Sequence, residues 1–119
     1  MKLIFVYNAD SGLFNTVSDI AHKVLSPKTY SCNLCALTHG HFKIRQEWVD
    51  FLKQLDIELE FLHRDEFLTR HNIPDAEFPA IFLQENDQLS LWLDQASLNQ
   101  LATLDDLKQV ISERLQQTP

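Results

Sequence analysis

Two cysteines separated by two residues have the clearest chemical potential in this sequence. Cys32 and Cys35 enclose Asn33 and Leu34, and this spacing lets two sulfur atoms meet across one turn of chain. A thiolate at Cys32 could attack a disulfide, and Cys35 could then resolve the mixed disulfide. The pair predicts thiol–disulfide exchange with Cys32 and Cys35 as catalytic residues, beside the alternative of two cysteines without chemistry.

Two histidines follow the cysteine pair and open a second interpretation. His39 and His41 complete the pattern Cys-x2-Cys-x3-His-x-His, and all four residues are of types that bind zinc. Structural zinc sites usually separate their ligand pairs further, so a set of three ligands with His63 or His22 as the fourth is geometrically easier. This hypothesis describes a non-enzymatic module that zinc stabilises. A third hypothesis is a metal-free scaffold for protein interaction.

The loop that follows the first predicted strand is a candidate binding site. Residues 2 to 7 are almost wholly apolar and predict a buried strand, and helical spacing of apolar residues begins at Leu13. Ligands in open α/β sheets usually bind at this junction of strand end and helix start. Asn8, Ser11 and Gly12 are therefore candidate substrate-binding residues, unless the loop is only a capping turn.

The remaining pattern predicts an α/β fold around a central mixed sheet with flanking helices. The segment at about residues 28 to 42 has the weakest periodicity of apolar residues in the chain, and it holds both cysteines. We expect it to be irregular or short-stranded. The helix that ends the chain should begin after Thr103, which forms a capping box with Asp106. The predicted strands cover residues 2 to 7, 57 to 62, 80 to 84 and 89 to 93, and the predicted helices cover about 13 to 25, 43 to 55, 65 to 71 and 104 to 116. Asp65 is the predicted cap of the third of these helices.

From Ile57 to Leu115 this order resembles the second half of the thioredoxin-like fold, in which a strand and a helix lead to a C-terminal β-hairpin and a covering helix. In that family a cis proline precedes the first hairpin strand, and Phe78-Pro79 looks like this junction. The resemblance implies that Phe78 and Pro79 hold a substrate chain close to the loop from Asn8 to Gly12. An ordinary trans proline at the start of a strand is the alternative.

The first half departs from the thioredoxin pattern, because the cysteine pair comes a whole predicted helix after the first strand. The segment Tyr7-Asn8-Ala9-x-Ser11-Gly12 and the Cys-x-Leu-Cys segment also resemble a group of small bacterial proteins. That second resemblance implies no chemistry.

Composition limits the classes of partner. The chain has 119 residues, which suit one domain, and its formal net charge of −7 repels phosphate backbones and anionic lipids. Its two glycines cannot supply a glycine-rich phosphate-binding loop at the required spacing. We expect a single cytoplasmic domain, residues 1 to 119, that binds no nucleic acid and no membrane. The expected partner is a protein or a protein disulfide, with no cofactor unless zinc is bound.

Overall fold

The structure, a computed structural model, describes residues 1–8, 33–38 and 44–117, with the side chain of Cys35 excepted. The predicted helix over residues 13 to 25 therefore lies outside the described residues. Within the described residues the elements follow in the order β1 (Lys2–Tyr7), α1 (Asn33–Thr38), α2 (Gln46–Gln54), β2 (Glu58–His63), α3 (Arg64–His71), β3 (Ala80–Glu85), β4 (Gln88–Leu93), α4 (Gln95–Asn99) and α5 (Leu104–Gln117).

Four strands form one mixed sheet in the order β2-β1-β3-β4. β1 pairs in parallel with β2, and it pairs antiparallel with β3, where Val6 lies opposite Ala80. β3 and β4 form an antiparallel hairpin. The predicted mixed α/β architecture is confirmed, and all four predicted strands lie in the sheet within one residue of their predicted bounds.

The first face of the sheet carries Leu3, Phe5 and Tyr7 and forms the larger core. These side chains are buried because alternate residues of a strand point to the same face. Helices α1, α2 and α5 contribute further buried side chains, namely Leu34, Leu37, Trp48, Leu104, Leu107 and Ile111. Leu107 and Ile111 are fully buried, which confirms the predicted packing of the last helix.

The second face carries Ile4 and Val6 and is covered by α3. Phe67 of α3 stacks on Phe82 of β3 at 4.6 Å between ring centroids and meets Phe78 edge-on at 5.5 Å. Such aromatic contacts stabilise by about 0.5–1.5 kcal/mol beyond the burial of area. Phe67 therefore fixes α3 over the central strands.

The hairpin of β3 and β4 has a tight turn at one end and a β-bulge at the other. Asn86 and Asp87 both have positive φ, at 53° and 66°, as a two-residue turn between antiparallel strands requires. The strand pairing shifts between Ile81 and Phe82, so that Trp92 is the extra residue on β4. Arg114 of α5 lies over the Trp92 ring at 5.7 Å and donates a hydrogen bond to the Trp92 carbonyl.

The segment predicted to be irregular, residues 28 to 42, contains a helix. α1 spans Asn33–Thr38, so the prediction is wrong for these six residues. Leu34 is 1% exposed, and Thr38 is buried and donates to the Leu34 carbonyl at 2.8 Å. Packing against the first face orders this turn, although its sequence has little apolar periodicity.

Candidate functional site

The carboxyl ends of three strands and the amino end of the fourth meet at one edge of the sheet, here called the carboxyl edge. Its residues are Asn8 after β1, His63 at the end of β2, Phe78 and Pro79 before β3, and Asp94 after β4. The arrangement follows from the strand directions, because β4 runs antiparallel to β3 and therefore parallel to β1. Ligands of open α/β sheets usually bind outside the carboxyl ends of strands.

Phe78 and Pro79 lie at the carboxyl edge as predicted. The bond between them is cis, and the pairing of Val6 with Ala80 places Pro79 beside the end of β1, next to Asn8. The Phe78 carbonyl accepts a hydrogen bond from Gln95 Nε2 at 2.8 Å. Because a carbonyl oxygen has two lone pairs, this bond still leaves room for a second donor.

Asn8 is joined to the neighbouring strand at the same edge. Its Oδ1 accepts a hydrogen bond from Arg64 Nη1 at 3.3 Å, across the parallel pair β1 and β2. The predicted binding residues Ser11 and Gly12 lie outside the described residues. The structure thus brings together Asn8, Phe78 and Pro79 of the predicted substrate-binding set.

Tyr7 and Thr38 connect the carboxyl edge to the helix that carries Cys35. Tyr7 is buried, and burial raises the pKa of its phenol while a hydrogen bond with the Thr38 side chain opposes that rise. The phenol therefore stays protonated and serves as a polar contact inside the core. This contact fixes the C-terminal end of α1 against the end of β1.

Asn33 fixes the other end of the same helix. Its Nδ2 donates hydrogen bonds to the carbonyls of Leu98 at 2.6 Å and Leu101 at 3.0 Å. The Leu98 carbonyl belongs to α4 and also accepts from the Leu101 N–H at 3.3 Å, whereas the Leu101 carbonyl lies two residues beyond this helix. α1 is therefore attached at one end to β1 and at the other to α4 and the residues that follow it.

The cysteine pair spans the start of α1. Cys35 is the third residue of this helix, and Cys32 immediately precedes its first residue. Cys32, His39 and His41 lie outside the described residues. In the part of the chain that the structure describes, no group of three or more His, Cys, Asp or Glu side chains could hold a metal ion.

His63 replaces Asp65 as the residue that begins α3. The sequence pattern predicted Asp65 as the cap, but Glu66 Oε1 accepts from the His63 backbone N–H at 2.8 Å and lies 2.7 Å from His63 Nδ1. Both bonds to His63 lower the pKa of the Glu66 carboxyl. The His63 ring also lies 6.0 Å from the Tyr7 ring, so it is part of the carboxyl edge.

Sequence reasoning missed three residues that organise this edge. Asn33 binds carbonyls 65 and 68 residues away, and no local pattern predicts such a contact. Gln95 belongs to α4, a helix that the sequence pattern did not predict. Asp94 was an available signal for it, because Asp is a preferred residue at the start of a helix. Its side chain accepts from the Ser97 N–H at 2.8 Å. Arg64 directly follows β2, the position from which a side chain reaches the neighbouring strand end.

Comparisons with protein-family models, with curated proteins and with solved structures give no significant match to this chain. Among the described helices, none combines the length and the apolar character that a membrane span requires.

Proposed function

We propose that this chain is a thioredoxin-like protein that exchanges disulfides with a protein partner through Cys32 and Cys35. One observation carries the proposal: the helix of Cys35 is bonded through Thr38 to Tyr7, the residue before Asn8 at the carboxyl edge, and through Asn33 to carbonyls at and beyond the end of α4. The mixed sheet, the C-terminal hairpin and the covering helix α5 also follow the order that the resemblance implies.

The exchange proceeds in two balanced steps. The Cys32 thiolate attacks one sulfur of the partner's disulfide, a Cys32–partner disulfide forms, and the partner's other sulfur leaves as a thiolate that takes a proton from water. The Cys35 thiolate then attacks the Cys32 sulfur, which releases the second partner thiol and leaves a Cys32–Cys35 disulfide. The partner gains two electrons, and an external dithiol returns the protein to its reduced form.

Phe78 and Pro79 supply the surface along which the partner chain lies. The Phe78 carbonyl already accepts from Gln95, so that its orientation is fixed before a partner arrives. Asn8, which follows β1 beside Pro79, supplies the opposite side of this surface, and Ser11 and Gly12 stay proposed substrate-binding residues from the sequence. The carboxyl edge thereby orients the partner's disulfide toward Cys32.

Oxidised glutathione is a suitable probe of the exchange. The reduced protein should lose two hydrogens in mass, and the Cys35→Ser variant should accumulate a glutathione adduct at Cys32 because no resolving thiol is present. The Cys32→Ser variant is the matched control and should form no adduct at a comparable rate.

Alkylation rates measured against pH give the decisive result. Cys32 should react faster than Cys35 and with a lower apparent pKa. Equal, slow labelling of both thiols with an apparent pKa at or above about 8.5 would refute the exchange reaction. Metal analysis of the same preparation tests the alternative in which Cys32, Cys35, His39 and His41 bind zinc, and stoichiometric zinc with blocked thiols would favour it.

A further inference from the structure

A groove lies on the second face of the sheet, away from the helix that carries Cys35. α3 covers this face from β2 to Phe82 of β3, and the groove lies beside it over the hairpin strands. Its volume is about 460 Å³, within the range of about 300–1,000 Å³ that is typical of ligand sites. The groove is lined by Ile73, Asp75, Ala76, Glu77, Phe82, Leu89, Leu91, Asp94, Gln95 and Ala96.

The floor of the groove is apolar. Phe82 of β3 is almost fully buried, and Leu89 and Leu91 of β4 lie beside it. Leu91 nevertheless keeps 55% of its surface exposed, more than the other large apolar residues described. Covering such a side chain is favourable by about 25 cal/mol per Å² of apolar area removed from water.

The rim of the groove is acidic. Asp75, Glu77 and Asp94 are exposed carboxylates, and among the residues that the structure describes neither lysine nor arginine lines the groove. Hydrogen bonds with Ser97 lower the pKa of Asp94, so that this carboxylate stays ionised. Among the described residues Asp75 and Glu77 form no ion pair, which leaves their charges available to a ligand.

We propose that this groove binds an extended segment of a partner protein in which basic residues flank a bulky apolar side chain. The apolar side chain covers Leu91 and Phe82, and the basic residues meet the three carboxylates. The occupant follows from charge complementarity: a second copy would bring six rim carboxylates together, and the net charge of −7 repels nucleic acid and anionic membranes.

The test uses the full chain and a synthetic peptide of sequence Arg-Val-Lys-Leu-Arg-Val with blocked ends. Amide chemical shifts recorded during titration should change saturably at the residues that line the groove. Two control peptides separate the contribution of charge from that of apolar contact. One has glutamate in place of each basic residue, and the other has serine in place of each apolar residue. Both should bind more weakly than the first peptide.

Variants of the rim and of the floor assign the binding to the groove. The double variant Asp75→Asn, Glu77→Gln should bind about 2-fold to 30-fold more weakly, as expected for the loss of two exposed charge pairs. Leu91→Ser should also weaken binding, and its exposure means that the core is not disturbed. Asp56→Asn is the matched control for charge and should leave the affinity unchanged.

Three results would overturn the proposal. The first is equal affinity for the acidic and basic peptides, and the second is an absence of shift changes at the groove. The third is self-association of the chain through the groove, which would identify a second copy as the occupant. The cysteine variants should bind the peptide normally, so a failure here is distinguishable from a failure of the proposed exchange reaction.

Discussion

Asn33→Ala tests whether the attachment of α1 to α4 orders the cysteine segment. The amide of Asn33 is partly buried and donates to two carbonyls, at 2.6 Å from Leu98 and 3.0 Å from Leu101. Alanine removes both donors, so the Leu101 carbonyl loses this partner, while the Leu98 carbonyl keeps the bond from the Leu101 N–H at 3.3 Å. The variant should therefore be less stable, and α1 should open more often.

The magnitude follows from the state of the two acceptors. A net hydrogen bond contributes about 0.5–1.5 kcal/mol, and an acceptor left without a partner costs about 1–3 kcal/mol when it is buried. Because this site is only partly buried and the Leu98 carbonyl keeps its backbone donor, we expect a loss of about 1–3 kcal/mol in total. With a denaturant dependence of about 1–3 kcal/mol per molar urea, the unfolding midpoint should fall by roughly 0.3–3 M, and by about 1 M at the middle of both ranges.

Urea unfolding and alkylation of Cys35 are the two assays. Gln46→Ala is the control, because it removes an exposed bond to Asp50 at 2.9 Å and should cost at most about 0.5 kcal/mol. Asn33→Asp places a carboxylate against two carbonyls and should be at least as unstable as the alanine variant near neutral pH. Wild-type stability in Asn33→Asp, or unchanged alkylation of Cys35 in Asn33→Ala, would refute the reasoning.

Three further predictions concern the supports of the sheet. Arg114→Met should lower the free energy of unfolding, measured in urea, by about 1–3 kcal/mol, because the Trp92 carbonyl loses a charged donor. Arg114→Lys should recover only part of this lost stability. Desolvation and the neighbouring Arg70 lower the pKa of His71. Because protonation is then less favourable in the folded state, the free energy of unfolding should be at its full value above about pH 6.5 and should fall as the pH drops from there through the folded-state pKa. His71→Phe should flatten this decline, and an unchanged decline would contradict it. Thr103→Ala should cost about 0.5–2 kcal/mol by thermal unfolding, because its hydroxyl caps α5 by accepting at 3.1 Å from a backbone N–H.

The strands and the last helix were predictable because their signals are local. Residues 3 to 7 are continuously apolar, and this run fits a strand with two buried faces. Asn86 and Asp87 tolerate positive φ and therefore fix a two-residue hairpin turn. Thr103 and Asp106 form the reciprocal capping bonds that the pattern predicts, at 3.1 Å and 3.2 Å.

The attachments of the candidate site were not predictable, because they depend on contacts distant in sequence. Leu34 and Leu37 show no helical pattern on their own, and only the first face of the sheet makes a helix favourable there. His63 begins α3 through a bond to Glu66, an uncommon role for histidine, since Ser, Thr, Asp and Asn dominate this position. The prediction of Asp65 followed that preference and was wrong by two residues.

The short helix α4 connects the two proposed activities. Five residues are too few for a helix to persist alone in water, where about 12–15 are needed, so α4 depends on the cap at Asp94 and on Leu98, which is 1% exposed. At its start Gln95 lines the groove and holds the Phe78 carbonyl, and at its end the Leu98 carbonyl accepts from Asn33, the neighbour of Cys32. A five-residue helix is about 7.5 Å long, a distance that an extended chain covers in two to three residues at about 3.3 Å each. A partner segment that fills the groove and runs along α4 therefore needs only a few more residues to reach the Leu98 carbonyl, which accepts from the residue next to Cys32.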